Sequence, residues 1–218
     1  MSTESVREIH GLRLGTVEYR KALDIQRFFH TRRKRIGAAD ILLLLEHNHV
    51  ITMGRRANES HVLLDKETLH NLGVEVFETD RGGEATYHGP GQLVGYPIID
   101  VRALSFSPVK YVRILELSIV ETLNVLGIQA HLVDGETGVW VGGIPNEKRR
   151  HGVNPEGRKI AAIGVRISDG VSMHGFALNV STDLSYFGKI IRVACPILPL
   201  RLFRQKWGLP FLPMIVLK

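Results

Sequence analysis

The chain has 218 residues, 44% hydrophobic and 23% charged, which fits one ordinary globular domain with a real core. No apolar run reaches membrane-spanning length, the start MSTESVREIHG lacks a signal peptide's apolar segment, and a lone cysteine excludes an internal disulfide, so we expect a cytoplasmic protein with no membrane partner. The net charge of +6 does not argue for a nucleic-acid partner, because six basic residues from Lys189 onward account for all of it, no acid follows Asp183, and the body is neutral.

In chain order, residues 9–14 read as a strand, and Thr16 as the cap of a helix over residues 17–35. ILLLLE (residues 41–46) is a short continuous apolar run, the mark of a buried strand. Residues 50–53 suit a strand, 66–72 a short helix ended by Gly73, and 74–79 another strand. Residues 93–101 are apolar and β-branched, but Pro97 near the middle predicts a bulge or an edge position. Pro108 starts a helix with Val109, Val112, Leu115 or Glu116, Ile119 and Leu123 at helical spacing. Strands are expected at 130–133, 137–141, 159–167 and 171–178, with the polar stretch 146–158 as a loop inside a hairpin. The sum is one α+β domain built on a mixed sheet.

Three stretches could carry chemistry. RGGEATYHGPGQL (residues 81–93) holds four glycines beside Arg81 and His88. Glycines let a backbone approach a ligand, and exposed N–H groups there could hold an oxyanion; the competing reading is a surface turn. No phosphate-loop spacing is present. KIAAIGVRI (residues 159–167) puts Lys159 at the mouth of an apolar strand, where it is either a proton-transfer group or a strand-end lysine in water. MHGFALNV (residues 173–180) reads His174 as a structural histidine and Gly175 as a place of close ligand approach. EHNH (residues 46–49) offers His47 and His49, but no third metal ligand is evident, and no metal is expected.

Taken in series, RGG-x-x-T-Y-H-G-P-G-Q, G-V-W-V, R-K-I-A-A-I-G-V and H-G-F-A-L-N-V resemble the lipoyl(octanoyl) transferases of lipoate biosynthesis. LLLLEHNHVITMGRR (residues 42–56) looks like that family's N-terminal segment, and the likeness runs from about Gly11 to Ile191. It implies a fold similar to the biotin and lipoate protein ligases. It implies transfer of an octanoyl group from octanoyl-acyl carrier protein to a lysine of a lipoyl domain, through a cysteine thioester and without a cofactor. The acceptors would be the E2 subunits of 2-oxo acid dehydrogenases and the H protein of glycine cleavage. Lys159 matches the family's catalytic lysine. Arg81, Gly82, Gly83, Glu84, Ala85, Thr86, Tyr87, His88, Ala162, Ile163, Gly164, Gly175, Phe176 and Ala177 match segments that line its acyl tunnel and reaction centre. The rival readings are an ATP-dependent lipoate or biotin ligase and an inactive remnant.

The remnant reading comes from the tail. The family's Pro-Cys-Gly motif should place its cysteine at Val193, whereas this chain has Cys195 in Ala-Cys-Pro. In allowed codons, residues 191–196 read one base out of frame become Pro-Cys-Gly-Met-Pro, with the cysteine in the position of Val193. The same shift turns residues 196–208 into a stretch containing the family's Val-Thr-Ser-Leu. We therefore divide the chain into a catalytic domain, residues 1–191, and an atypical tail, residues 192–218, read as an out-of-frame translation.

Overall fold

A computed structural model of the protein describes residues 8–143 and 157–190. Cys195, Val193 and all but the end of the expected 146–158 loop lie outside them. The elements are β1 (Ile9–Thr16), α1 (Tyr19–Ile36), β2 (Asp40–Glu46), β3 (Val50–Met53), α2 (Lys66–Asn71), β4 (Glu75–Glu78) and β5 (Ala85–His88). Then follow β6 (Gln92–Ile98), α3 (Pro108–Val125), β7 (Ala130–His131), β8 (Val139–Val141), β9 (Arg158–Ser168) and β10 (Val171–Asn179). Seven strands form one sheet in the order β1-β2-β6-β10-β9-β8-β7, and β4-β3-β5 form a smaller second sheet. β1 runs parallel to β2 while β6, β10 and β9 pair antiparallel, so the large sheet is mixed, as expected.

The run ILLLLE is apolar throughout because the sheet is covered on both faces. Ile41, Leu43 and Leu45 pack with Val94, Tyr96 and Ile98 beneath Ala22 and Ile25 of α1. Leu42 and Leu44 point the other way, into the cluster built around Ile119 and Leu123 of α3. The polypeptide thus makes a helix–sheet–helix stack.

Two helix expectations need correction. Thr16 does not cap α1, because it still belongs to β1, opposite Glu46; Glu18 is the cap residue and makes no side-chain cap bond. On α3, Ser107 accepts from the Lys110 N–H at 3.2 Å and Pro108 opens the first turn, but the buried stripe is Tyr111, Leu115, Glu116, Ile119 and Leu123. Val109 is 81% exposed, since its place in the first turn faces away from the sheet.

Pro97 is not at an edge: β6 lies between β2 and β10 in the centre of the sheet. Its pairing with β2 is regular, with Pro97 opposite Leu42. On the β10 side the ladder stops at the pair Phe176–Gly95 and resumes at an isolated bridge between Val171 and Asp100. The register is the same on both sides of the gap, which puts His174 opposite Pro97. A proline has no N–H to give the neighbouring strand. The gap is filled by side chains: Ser172 Oγ donates to the Pro97 carbonyl at 2.8 Å, and the His174 N–H donates to Gln26 Oε1 at 2.8 Å. Neither the expected bulge nor the edge position is found; the consequence of the proline is an interrupted central ladder.

Candidate active site

A cavity of about 380 Å³ lies where the two sheets face each other. β9 supplies Lys159, Ala162, Ile163 and Gly164, and β10 supplies His174, Gly175, Phe176, Ala177 and Asn179. Arg81, Gly82, Gly83, Glu84, Ala85, Thr86 and His88 close it from the other side. The stretches singled out in the sequence therefore meet in one place. Tyr87 is the exception among the candidates that can be placed. Strand alternation on β5 turns it away from the cavity, where its hydroxyl donates to His49 Nδ1 at 2.7 Å and its ring stacks on Tyr186 at 5.0 Å.

Arg81 is a staple more than a ligand-facing cation. Nη2 donates to the Thr52 carbonyl at 2.6 Å and the Glu84 carbonyl at 2.7 Å, Nε donates to Thr52 Oγ1 at 3.1 Å, and Nη1 donates to the Gly82 carbonyl at 3.0 Å. Burial pulls its pKa below the ordinary value, yet a guanidinium keeps its charge at any physiological pH. With the loop fixed to β3, Gly82 N–H reaches the Val165 carbonyl of β9 at 3.0 Å. A Cβ on Gly164 would stand 2.8 Å from the Gly82 oxygen, so this glycine is required by the loop lying directly on the strand. Gly175 has a similar explanation: its Cβ would meet the Gly95 oxygen at 2.1 Å, so neighbouring backbone rather than a ligand demands the glycine.

Lys159 is half-buried at the other end of the cavity. Its Nζ donates to the Thr137 carbonyl at 3.0 Å and sits 4.6 Å from the Trp140 ring centre, a cation–π contact. The N–H of the same peptide group, on Gly138, donates to Glu116 Oε1 at 2.8 Å. Glu116 is buried and also meets Arg113 Nη1 at 3.2 Å. A carboxylate on one end of a peptide and an ammonium on the other polarise it in the same sense, so each bond strengthens the other. Nothing in the spacing of residues 113–116 pointed to this support, because it is a contact between α3 and a turn 22 residues later.

Beneath the cavity lies a set of buried histidines. His88 donates from Nδ1 to Gln92 Oε1 at 2.7 Å, and Gln92 Nε2 donates to Asn179 Oδ1 at 2.9 Å. His47 donates from Nδ1 to the Val17 carbonyl at 2.7 Å and accepts the Tyr96 hydroxyl at Nε2, also at 2.7 Å. His47 and His49 thus serve different partners. Burial pulls His47 down to about 4, and burial with the nearby His47 and Arg81 pulls His88 down to about 3.

His174, read from the sequence as structural, is a cavity residue. Its backbone is left-handed, with φ 57°, in the middle of a strand. Its Nε2 lies 2.8 Å from Asp80 Oδ1. A carboxylate only accepts, so the ring proton sits on Nε2 and Nδ1 is left as an acceptor, buried and without a partner among the described residues. Burial lowers the His174 pKa. Burial pushes the Asp80 carboxyl up, but the His174 bond and the Arg166 charge overrule it and hold the carboxyl below its ordinary value. Asp80 directly precedes the glycine-rich motif, and that adjacency was the only sequence signal for it.

The fold is known in solved structures. Plasmodium falciparum LipL1 in complex with lipoate superposes with a TM-score of 0.68 at 16% identity, covering 91% of this chain and 57% of that one. A bipartite lipoate protein ligase from Thermoplasma acidophilum gives a TM-score of 0.57 at 18% identity, covering 91% and 71%. The fold is that of the lipoate protein ligases. The catalytic-domain model for lipoyl protein ligases A and B matches residues 18–199, and the chain belongs to that family. Among curated relatives, an octanoyltransferase of Solibacter usitatus is 50% identical over 178 residues, 82% of this chain and 74% of that protein. Those of Koribacter versatilis and Mycobacterium tuberculosis are 48% and 47% identical, over 84% and 82% of this chain and 69% of each relative.

The buried rings set a pH dependence of stability. His47 and His88 titrate below their ordinary value in the fold, so the unfolded chain takes up their protons first as pH falls. Their contribution is complete above about pH 6.5 and is lost downward toward about pH 4, by up to about 1.4 kcal/mol per pH unit for each ring. Urea unfolding at about pH 7 and about pH 5 should show the loss. Equal stability at both would mean that the rings are charged in the fold.

Proposed function

We propose that this chain is an octanoyltransferase. It moves an octanoyl group from octanoyl-acyl carrier protein to a lysine of a lipoyl domain, through a thioester on an enzyme cysteine. The observation that carries the reading is the single slot in which Lys159, the glycine-rich loop and the small residues Ala162, Gly164, Gly175 and Ala177 come together. An extended apolar chain suits a cavity whose strand side carries Ala162, Ile163, Phe176 and Ala177, and the names of the relatives agree with it.

The chemistry runs in two balanced steps. Lys159 takes the enzyme thiol's proton, the thiolate attacks the donor's carbonyl carbon, and a new C–S bond forms. The C–S bond to the carrier breaks, and the carrier's thiolate takes that proton back from Lys159. The neutral amine of the acceptor lysine then attacks the enzyme thioester. The C–N bond forms, the C–S bond breaks, and the amine's proton passes by way of Lys159 to the departing thiolate. The donor is already activated, so the route uses no ATP. The acceptors we assign are the lipoyl domains of 2-oxo acid dehydrogenase E2 subunits and the glycine cleavage H protein.

Incubation with octanoyl-acyl carrier protein and a lipoyl domain should give an octanoylated lysine without ATP. Replacement Lys159→Ala should lower the rate by about 100-fold or more, the usual worth of a proton-transfer group. Transfer that requires ATP and free octanoate would instead make the chain a ligase.

The nucleophile turns on the tail. We read residues 192–218 as out of frame, so that a cysteine belongs in the position of Val193 and Cys195 is its displaced echo. Sequencing the genomic DNA across the codons for Phe187 to Arg204 tests this. One further C after the Ile191 codon restores Pro-Cys-Gly; DNA that agrees with the chain as it stands refutes a reading error and leaves Cys195 as the thiol to examine.

A further inference from the structure

His174 is held by more constraints than a structural histidine needs. Its register partner on β9 is Val165, which packs with Tyr111 and Leu115 on the face covered by α3. Alternation would put His174 on that face too. The left-handed backbone carries the ring to the opposite face, where Asp80 binds it, while Gln26 of α1 takes its N–H. A residue with a branched-out side chain adopts that conformation at a cost, and glycine or asparagine would fit it more easily. The backbone does not require a histidine, so the ring is what the arrangement retains.

Its position gives the ring a role. Val165 lies six residues along β9 from Lys159, about 20 Å at the usual strand rise. No proton passes directly over that span. His174 and Lys159 nevertheless line the same cavity. On β9 and β10 the lining between them is small or apolar: Ala162, Ile163, Gly164, Gly175, Phe176 and Ala177, while Arg81, Glu84, Thr86 and His88 line the facing side. At His174 that lining gives way to a hydrogen-bonded polar group tied to Asp80, which in turn pairs with Arg166.

We propose that His174, clamped by Asp80, is the end wall of the acyl slot and sets the length of chain the slot accepts. The inference rests on the acyl-transfer reading above. Methylenes gain by entering the apolar stretch. A chain that ran past it would push the ring off Asp80 and strip a buried polar group of its partner, which replaces a gain with a penalty. The glycine-rich loop fixes the wall's place, because Asp80 is the residue before Arg81 and Arg81 is stapled to β3.

Calorimetric titration of the full chain with octanoyl-, decanoyl- and dodecanoyl-pantetheine reads the wall without turnover. The natural chain should bind the octanoyl thioester most tightly. His174→Gly, which keeps the left-handed backbone, should shift the decanoyl-to-octanoyl affinity ratio by about tenfold, the worth of two further buried methylenes. His174→Asn should move it the same way by less. A ratio unmoved in both variants, with the natural melting temperature retained, overturns the end wall alone. A natural chain that binds none of the three thioesters overturns the acyl-transfer reading and the wall together.

Discussion

The slot exists because a loop lies directly on a strand. Gly82 N–H bonds the Val165 carbonyl, and Gly164 leaves no Cβ to hold the two backbones apart. Arg81 makes the contact permanent by spending its guanidinium on the carbonyls of Thr52, Gly82 and Glu84. A buried cation bound to neutral oxygens is costly to strip, so the loop cannot lift without exposing several unmet donors and acceptors. The same contact docks the small sheet on the large one and so forms the cavity between them.

The central ladder is broken where it would otherwise be strongest. Pro97 offers no N–H to β10, and the opposite residue, His174, takes a conformation few side chains tolerate. Ser172 and Gln26 recover the lost hydrogen bonds, so the break costs strain more than bonding. At the other end of the slot Lys159 is held by a peptide group that Glu116 polarises from behind. Each end of the cavity is thus set by a polar group fixed from outside it. On the strand side the stretch between is small or apolar.

Much of this was legible. The continuous run ILLLLE announced a strand covered on both faces, and the motif order brought Arg81, Ala162, Gly164 and Gly175 into one cavity. What was not legible is what depends on register and distance in space. Tyr87 sits inside the densest motif yet faces away, because alternation on a four-residue strand is decided by its pairing with β3. His174 looked structural because a sequence carries no sign of a left-handed residue unless it is glycine. Glu116 reads as one more residue on an amphipathic helix; its place behind Lys159 comes from the approach of the turn at Thr137 and Gly138. Two strands of the small sheet, at residues 50–53 and 74–79, were expected; β5, inside the glycine-rich motif, was not, nor was the separation of these three into a second sheet.

The most direct measurement is a crystal structure of the full chain with a bound octanoyl thioester analogue. The account predicts the carbonyl end beside Lys159 and the chain running along Ala162 and Ala177, with the terminal methyl against His174. A chain bound in the reverse sense, with its polar head at His174 and Arg81, or bound outside this slot, would contradict it.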